Sequence, residues 1–398
     1  MPFISVVIPT RNRAHLLRYA LQSVVTQDWD DFEIIVSDND SSDNTRQVVE
    51  RYADKRIRYV RTDKYLYLYD HWNFAFRKAS GRYLLLLADD DALVPNALLT
   101  FFNLVETTAN PFIGCRFVDY YSPDFPVKSR QNTLFVPPFT GEVKQVESRY
   151  ALDQCFRFNP AYYPLATTLI SKEIIDDLFR RFGKFFDEPF QEHIAYPMAY
   201  STIPHYIQLD KPLVVLGRTP DSLGPRYFWF NQDATWSESG DNLFQYAPLK
   251  GTYITNGVAE ALLRAKHNLP ENFQDIEMSM VDYYRSYYAD MLAQQKIGRD
   301  IRHDLDECRR MAATLSADLQ TEVERAMQDA EREQLADVLP ALATVPSGAW
   351  RRWASGIKRR LSSPSVPLLQ IGTLRGAQVG VRDILSCAKW VGSLAPNQ

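Results

Sequence analysis

Along the first hundred or so residues, short continuous apolar runs alternate with helically spaced ones. Residues 3–10 (FISVVIPT) are β-rich and almost wholly apolar, the pattern of a strand buried on both faces. Residues 14–27 (AHLLRYALQSVVTQ) set Leu17, Leu21 and Val24 at helical spacing. The alternation repeats with FEIIVSD (32–38) and DNTRQVVERYA (43–53), then IRYVR (57–61) and DHWNFAFRKA (70–79). It closes with RYLLLLAD (82–89) and PNALLTFFNLVE (95–106), a helix opening with Pro. This succession predicts an α/β fold with a doubly wound, mostly parallel sheet.

Such sheets bind ligands beyond the carboxyl ends of their strands. The conspicuous polar residues fall there: Thr10 to Arg13 after the first strand, Asp38 to Asp43 after the second, Asp89 to Asp91 after the fourth. One crevice is expected to gather all three.

From 111 to 225 the alternation loosens. PFIGCRFVDYY reads as a strand and 122–145 as a Pro-rich loop. SRYALDQCFRF, KEIIDDLFRRFG and PFQEHIAYPMAYS read as helices, and YIQLDKPLVVLGR as two short strands broken at Lys211-Pro212. A mixed second half closing over the sheet is therefore expected, with a helical C-terminal extension after residue 240. The units are drawn at 1–110, 111–238 and 239–398. Met311, Leu315, Leu319, Val323 and Met327 form an i+4 stripe on a heavily charged segment. It reads as the core-facing side of an amphipathic helix, with a partner helix as the other reading. WRRWASGIKRRL (350–361) mixes two Trp with five basic residues. It suits either peripheral contact with an anionic membrane or a solvated helix with its Trp docked on the body.

Bulk composition narrows the classes. Hydrophobic residues at 45% supply a core, and a net charge of −4 argues against broad nucleic-acid binding, which needs a basic footprint. Cys115, Cys155, Cys308 and Cys387 are scattered without metal-like spacing, which predicts a reducing, cytoplasmic setting. The opening residues show no basic leader, so no signal peptide is expected, and no window reaches the ~18 apolar residues of a membrane span. Nothing in the composition sets an oligomeric state.

The stretch YLLLLADDDALVP carries an apolar run straight into three aspartates. Adjacent carboxylates repel, so such a cluster wants a cation, protonation or open water. A charged loop is the plain reading. The sharper one is a hard divalent cation, Mg²⁺ or Mn²⁺, which takes carboxylate oxygens and often bridges to substrate phosphates. On a strand leaving the sheet, Asp89 and Asp91 would present one carboxylate to the metal and another to a ribose or a metal-bound water.

Three segments in order, ISVVIPTRNRAHLLRYALQSVVTQ, FEIIVSDNDSSDNT and ASGRYLLLLADDDALVPNAL, resemble the family-two glycosyltransferases of GT-A fold. The likeness covers roughly residues 3–105, with a looser one to about 225. It implies an inverting transfer of a sugar from a nucleotide-sugar donor, with UDP the family-weighted nucleotide, to a hydroxyl of a glycan, lipid-linked or other acceptor. Units 1–110 and 111–238 would then be the donor and acceptor halves. Carried over residue by residue, Pro9, Thr10 and Arg11 would line the nucleotide pocket, and Asp38 would accept a hydrogen bond from the base ring. Asn39 and Asp40 depart from the family's usual Asp-Gly. Asp89 and Asp91 match the D-x-D that holds a metal against the diphosphate, with Asp90 among the donor-binding residues. Arg82 would add positive charge beside the phosphates, or form an exposed salt bridge. His71, Trp72 and Asn73 fall where some relatives carry an Asn-Trp pairing, packing being the plain reading for Trp72. The base position carries Glu192-His193 where the family has Glu-Asp: Glu192 is the first choice and His193 the second, while Asp187 and Glu188 suit helix capping. Arg218 is a further phosphate or acceptor contact, or a surface residue.

Other readings are weaker. A nucleotidyltransferase or a dinucleotide dehydrogenase would want a glycine-rich loop after the first strand, and IPTRNRAHLL has no glycine. A haloacid-dehalogenase-type phosphatase would place its D-x-D after the first strand. The Glu-His departure keeps open a catalytically inactive scaffold that binds a nucleotide-sugar or partner proteins.

Overall fold

The computed structural model describes residues 1–159, 167–188, 190–222, 243–296, 298–336 and 373–394. Its strands join one sheet. The N-terminal strands are β1 (Ile4–Thr10), β2 (Phe32–Asp38), β3 (Ile57–Arg61) and β4 (Tyr83–Leu86), interleaved with helices α1 (Ala14–Val25), α2 (Thr45–Glu50) and α3 (Leu68–Lys78). They lie in the order β3-β2-β1-β4, all parallel. The register sets Thr10 opposite Asp38 and Val7 opposite Leu86, so the ends of β1, β2 and β4 share one edge.

Beyond β4 the pairing changes. The chain runs through β5 (Ala92–Leu93), α4 (Ala97–Thr108), β6 (Phe112–Tyr121), β7 (Thr133–Phe135), β8 (Val143–Glu147) and α5 (Ser148–Phe156). It continues through β9 (Thr168–Ser171), α6 (Lys172–Phe182), α7 (Gln191–Ser201) and β10 (His205–Arg218). β9 runs antiparallel between β4 and β6, while β10 runs parallel to β6 and antiparallel to β5 and β8. Strand β7 and the start of β8 fall within the stretch expected to be loop.

The expected break at Lys211-Pro212 is a bulge inside one strand. Register shifts flank Pro212 because proline has no N–H to give the ladder, and β10 continues past it to Arg218. Asp210 anchors the bulge, accepting from Thr140 N and Oγ1 at 2.9 and 2.7 Å and pairing with Arg116.

Helices cover both faces, as continuous apolar strands require. Ile4, Val6 and Ile8 pack with Leu17, Leu21, Val24 and Phe101 on one side. Val7, Ile35, Leu84 and Leu86 pack with Phe76, Leu178 and Ile194 on the other. A third cluster joins α8 (Ile254–Asn268), α9 (Met280–Lys296), α10 (Arg302–Ala312) and α11 (Ala317–Ala336) through Tyr253, Tyr283, Tyr287, Val323 and Met327. The i+4 stripe is split between two helices: Met311 ends exposed on α10, while Leu315 to Met327 pack inward, as the core-facing reading requires.

The last described segment corrects the boundary drawn at 239. β11 (Thr373–Arg375) pairs with β7, and α12 (Ile384–Gly392) packs through Ile384, Cys387 and Val391 into the cluster on β1 and α1. Residues 373–394 are thus part of the sheet domain. Residues 350–361 lie outside the described residues. Among those described, no helix is long and apolar enough to cross a membrane.

Candidate active site

The triple aspartate does not sit on a strand. β4 stops at Leu86, and Asp89 and Asp90 form a turn closed by Asp91 N donating to Ala88 O at 3.1 Å. The alternation expected to aim Asp89 and Asp91 together therefore does not position them. Tertiary bonds do. The segment after the turn is tied to α1: Leu93 N donates to Ser23 Oγ at 3.0 Å, Gln27 Nε2 donates to Val94 O at 2.9 Å, and Leu98 N donates to Gln27 Oε1 at 3.2 Å. β5 then pairs with β10, which brings Gly217 to the aspartates.

Each carboxylate has its own partners. Asp89 accepts from Thr10 Oγ1 at 2.7 Å and pairs with Arg13 Nη1 at 2.9 Å. Asp90 pairs with Arg13 Nη2 at 2.6 Å and accepts from Ser222 Oγ at 2.6 Å. Asp91 turns to β10 and accepts from Gly217 N at 2.9 Å. All three are buried. Burial pushes Asp89 above the usual carboxylate range despite Arg13, with Asp90 adding to the rise. Asp91 is raised further, by burial and then by Asp90. Burial opposes the charge on Arg13, but Asp90 and Asp89 outweigh it and hold the guanidinium firmly protonated.

Three carboxylates thus share one directly paired guanidinium, and burial with mutual repulsion favours the uncharged form of those it does not satisfy. Among the described residues, no three His, Cys, Asp or Glu side chains converge as a ready metal cage. The donor chemistry still fits a hard cation that takes one or two carboxylates and completes its shell from substrate phosphates and water.

The second strand's end is similarly built. Asp38 is fully buried; Oδ1 accepts from Ser41 N at 2.8 Å, and Oδ2 accepts from the Tyr59 hydroxyl and from Arg61 Nη1 at 3.2 Å. Arg61 also pairs with Asp40 at 2.6 Å. Asn39 is pinned inward, its Nδ2 donating to Leu66 O and its Oδ1 accepting from Leu66 N, both at 2.8 Å. His71 meets Ser37 Oγ through Nε2 at 3.0 Å, and burial lowers it to about 4. Pro9 lies within buried β1 opposite Ser37, and Arg11 is exposed with its guanidinium 4.3 Å over the Tyr65 ring.

Two expectations need correcting. Arg82 precedes β4 and sits at the opposite end of the sheet, its guanidinium over Phe3, so it lies far from the aspartates. Arg218 is not a surface residue: its Nε and Nη2 pair with Asp119 at 2.7 and 2.6 Å.

Glu192 and His193 open α7. Glu192 is part-exposed, and its Oε1 lies 3.8 Å from His193 Nδ1. Burial lowers His193, with Glu192 opposing, so its imidazole is neutral near pH 7. Pro197 has no N–H for the His193 carbonyl, so that helical bond is missing. Tyr196, one turn on, is bonded to Thr168, one residue beyond the Leu85–Leu169 pair and therefore level with the end of β4. Asp187 is buried and pairs with Lys184 at 2.7 Å rather than capping α7. Arg13, Gly217 and Ser222 went unnominated from sequence, although the first ends the polar run after β1.

Residues 5–179 match the family model for glycosyl transferase family 2. They form a family-two glycosyltransferase domain. Its strand-end motifs Thr10, Asp38 and Asp89–Asp91 fall inside the match, whereas Glu192, His193, Gly217 and Ser222 lie beyond it. The Campylobacter jejuni GalNAc(5)-diNAcBac-PP-undecaprenol β-1,3-glucosyltransferase is 34% identical over 182 residues, 42% of this chain and 59% of that one. The Escherichia coli UDP-Glc:α-D-GlcNAc-diphosphoundecaprenol β-1,3-glucosyltransferase WfgD is 34% identical over 95 residues, 24% of this chain and 38% of that one. The chain thus spans less than two thirds of the length of either relative. S. aureus TarS 1–349, solved with UDP-GlcNAc, superposes at a TM-score of 0.46 and 15% identity, over 84% of this chain and 92% of that one.

Proposed function

We propose that the chain is a metal-dependent, inverting glycosyltransferase that moves a sugar from a UDP-sugar to a hydroxyl of a glycan carried on a lipid diphosphate. The observation that carries this reading is the shared edge of β1, β2 and β4. It brings Thr10, Asp38 and the buried Asp89–Asp91 turn to one edge of the sheet. The two relatives' names supply the donor and acceptor classes. A lipid-linked acceptor would put the working enzyme at a membrane surface, in the assembly of a cell-surface polysaccharide.

The chain's own residues have separable tasks. Asp38 accepts from the base ring as Arg61, its half-exposed partner, turns aside. Pro9, Thr10 and Arg11 line the nucleotide side. Asp89 and Asp91 would hold Mn²⁺ or Mg²⁺, which supplies charge neutralisation of the departing diphosphate. Glu192 takes the proton of the attacking hydroxyl, with His193 as the second candidate for that proton; both need only lie on the face opposite the leaving group.

The test is transfer and donor hydrolysis across a panel of nucleotide-sugars with Mn²⁺, using undecaprenyl-diphosphate glycans as acceptors. UDP-sugars should be turned over, and Asp91→Ala and Glu192→Ala should each abolish transfer. If no donor is bound or turned over and Asp91→Ala changes nothing, the reading fails.

A further inference from the structure

The candidate site already holds a cation that belongs to the chain. Arg13 lies between β1 and α1, and its two terminal nitrogens reach different carboxylates, Nη1 at 2.9 Å from Asp89 and Nη2 at 2.6 Å from Asp90. Thr10 and Ser222 donate to the same two side chains at 2.7 and 2.6 Å. Because both aspartates are buried, this bridge is shielded from water and binds more firmly than a surface pair. Asp91, by contrast, is held among the described residues by the Gly217 amide.

The fork and a metal ion compete for the same atoms. A hard divalent cation at the carboxylates needs oxygens that the guanidinium now occupies, and its charge would lie beside that of Arg13. A nucleoside diphosphate offers the guanidinium an alternative, since phosphate oxygens match its planar donors as well as carboxylates do.

We propose that Arg13, anchored on Asp90, is a resident counter-cation that competes with the divalent metal for Asp89, so that metal enters fully only when a nucleoside diphosphate draws Arg13 away. This rests on the metal-dependent reading above. Asp89 is then exchanged between an internal and an external cation. Linkage makes the coupling reciprocal: nucleotide tightens metal, and metal tightens nucleotide.

The experiment is titration of Mn²⁺ into the full chain, followed by the electron paramagnetic resonance signal of free Mn²⁺, with and without UDP. Arg13→Gln should bind Mn²⁺ alone about tenfold more tightly than the parent and gain less from added UDP. Arg18→Gln removes the same charge from the exposed face of α1, where the guanidinium stacks 4.5 Å over Tyr19, and should shift Mn²⁺ affinity less than about twofold. Arg13→Lys keeps the charge that steadies the buried aspartates but cannot span two carboxylates, and should give an intermediate gain even if Arg13→Gln does not fold. If the folded Arg13 variants bind Mn²⁺ alone as the parent does while UDP still promotes binding, the competition is refuted and the metal reading survives. If no Mn²⁺ binds to any protein with or without UDP, both are refuted.

Discussion

Asn73 grips Phe186 from both sides of the peptide: its Nδ2 donates to Phe186 O at 2.8 Å, and its Oδ1 accepts from Phe186 N at 3.0 Å. The same oxygen accepts from Phe185 N at 2.9 Å. One buried amide on α3 therefore holds the segment that leads to Asp187 and α7. Trp72 beside it packs edge-on against Phe186 at 5.4 Å between centroids. The Trp is packing, and the Asn is the anchor.

Asn73→Ala should therefore lower stability by about 3 kcal/mol, since it orphans buried backbone groups as well as deleting bonds. Urea unfolding reads that loss. In the fraction still folded, transfer should fall more than donor affinity, because the anchored segment leads to Glu192 rather than to the nucleotide pocket. An unchanged midpoint would show that the 185–186 segment is held by its Phe packing alone.

Gly217 tolerates no side chain. A Cβ there would stand 1.9 Å from the Asp90 carbonyl and 3.2 Å from Ile384 Cδ1. Gly217→Ala must push the aspartate turn off β10, at a cost of about 1–3 kcal/mol. It should also weaken nucleotide-sugar binding, measured by calorimetry. Retention of full affinity would mean that the Asp91–Gly217 bond does not shape the site.

His71 makes the protein acid-sensitive. Its pKa falls from the ordinary 6.5 to about 4, through burial, so the unfolded chain takes up a proton that the folded one refuses. The stability it contributes is complete above 6.5 and is lost as the pH falls through 4, about 3 kcal/mol in all. His71→Asn should flatten the fall in unfolding free energy between pH 6.5 and 4. The same slope in parent and variant would assign it to other groups.

The two candidates for the base differ in their pH signature. His193 is lowered below 6.5 by burial, so it stands unprotonated at neutral pH and loses that state only in more acid solution. If it is the base, His193→Ala loses transfer by about 10²–10⁴-fold and removes an acid limb of the rate profile, while Glu192→Gln retains both. If Glu192 is the base, the pattern reverses.

Much of this was readable along the chain. Continuous apolar runs specify strands buried on both faces, and their alternation with 3.6-residue spacing specifies the parallel order of β1 to β4. Because parallel strands share their direction, the polar residues that follow each run must meet at one edge, which is why the sequence alone expects Thr10, Asp38 and Asp89 together. The three-residue strands β7 and β11 are too short for a period to register, and β8 (VKQVE) carries no apolar run. The bulge at Pro212 left Leu209 and Val214 looking like separate strands.

What the order of residues could not decide was the direction of each side chain once the strand ended. Asp89, Asp90 and Asp91 are indistinguishable neighbours in the sequence. Only the fold sends the first two to Arg13 and the third to Gly217, a residue 126 positions away along the chain. Local propensity ends at Leu86, and beyond it long-range hydrogen bonds choose, because buried polar groups must find partners wherever packing brings them. The strand pattern determined where the charge would be delivered; tertiary contact decided which cation it meets.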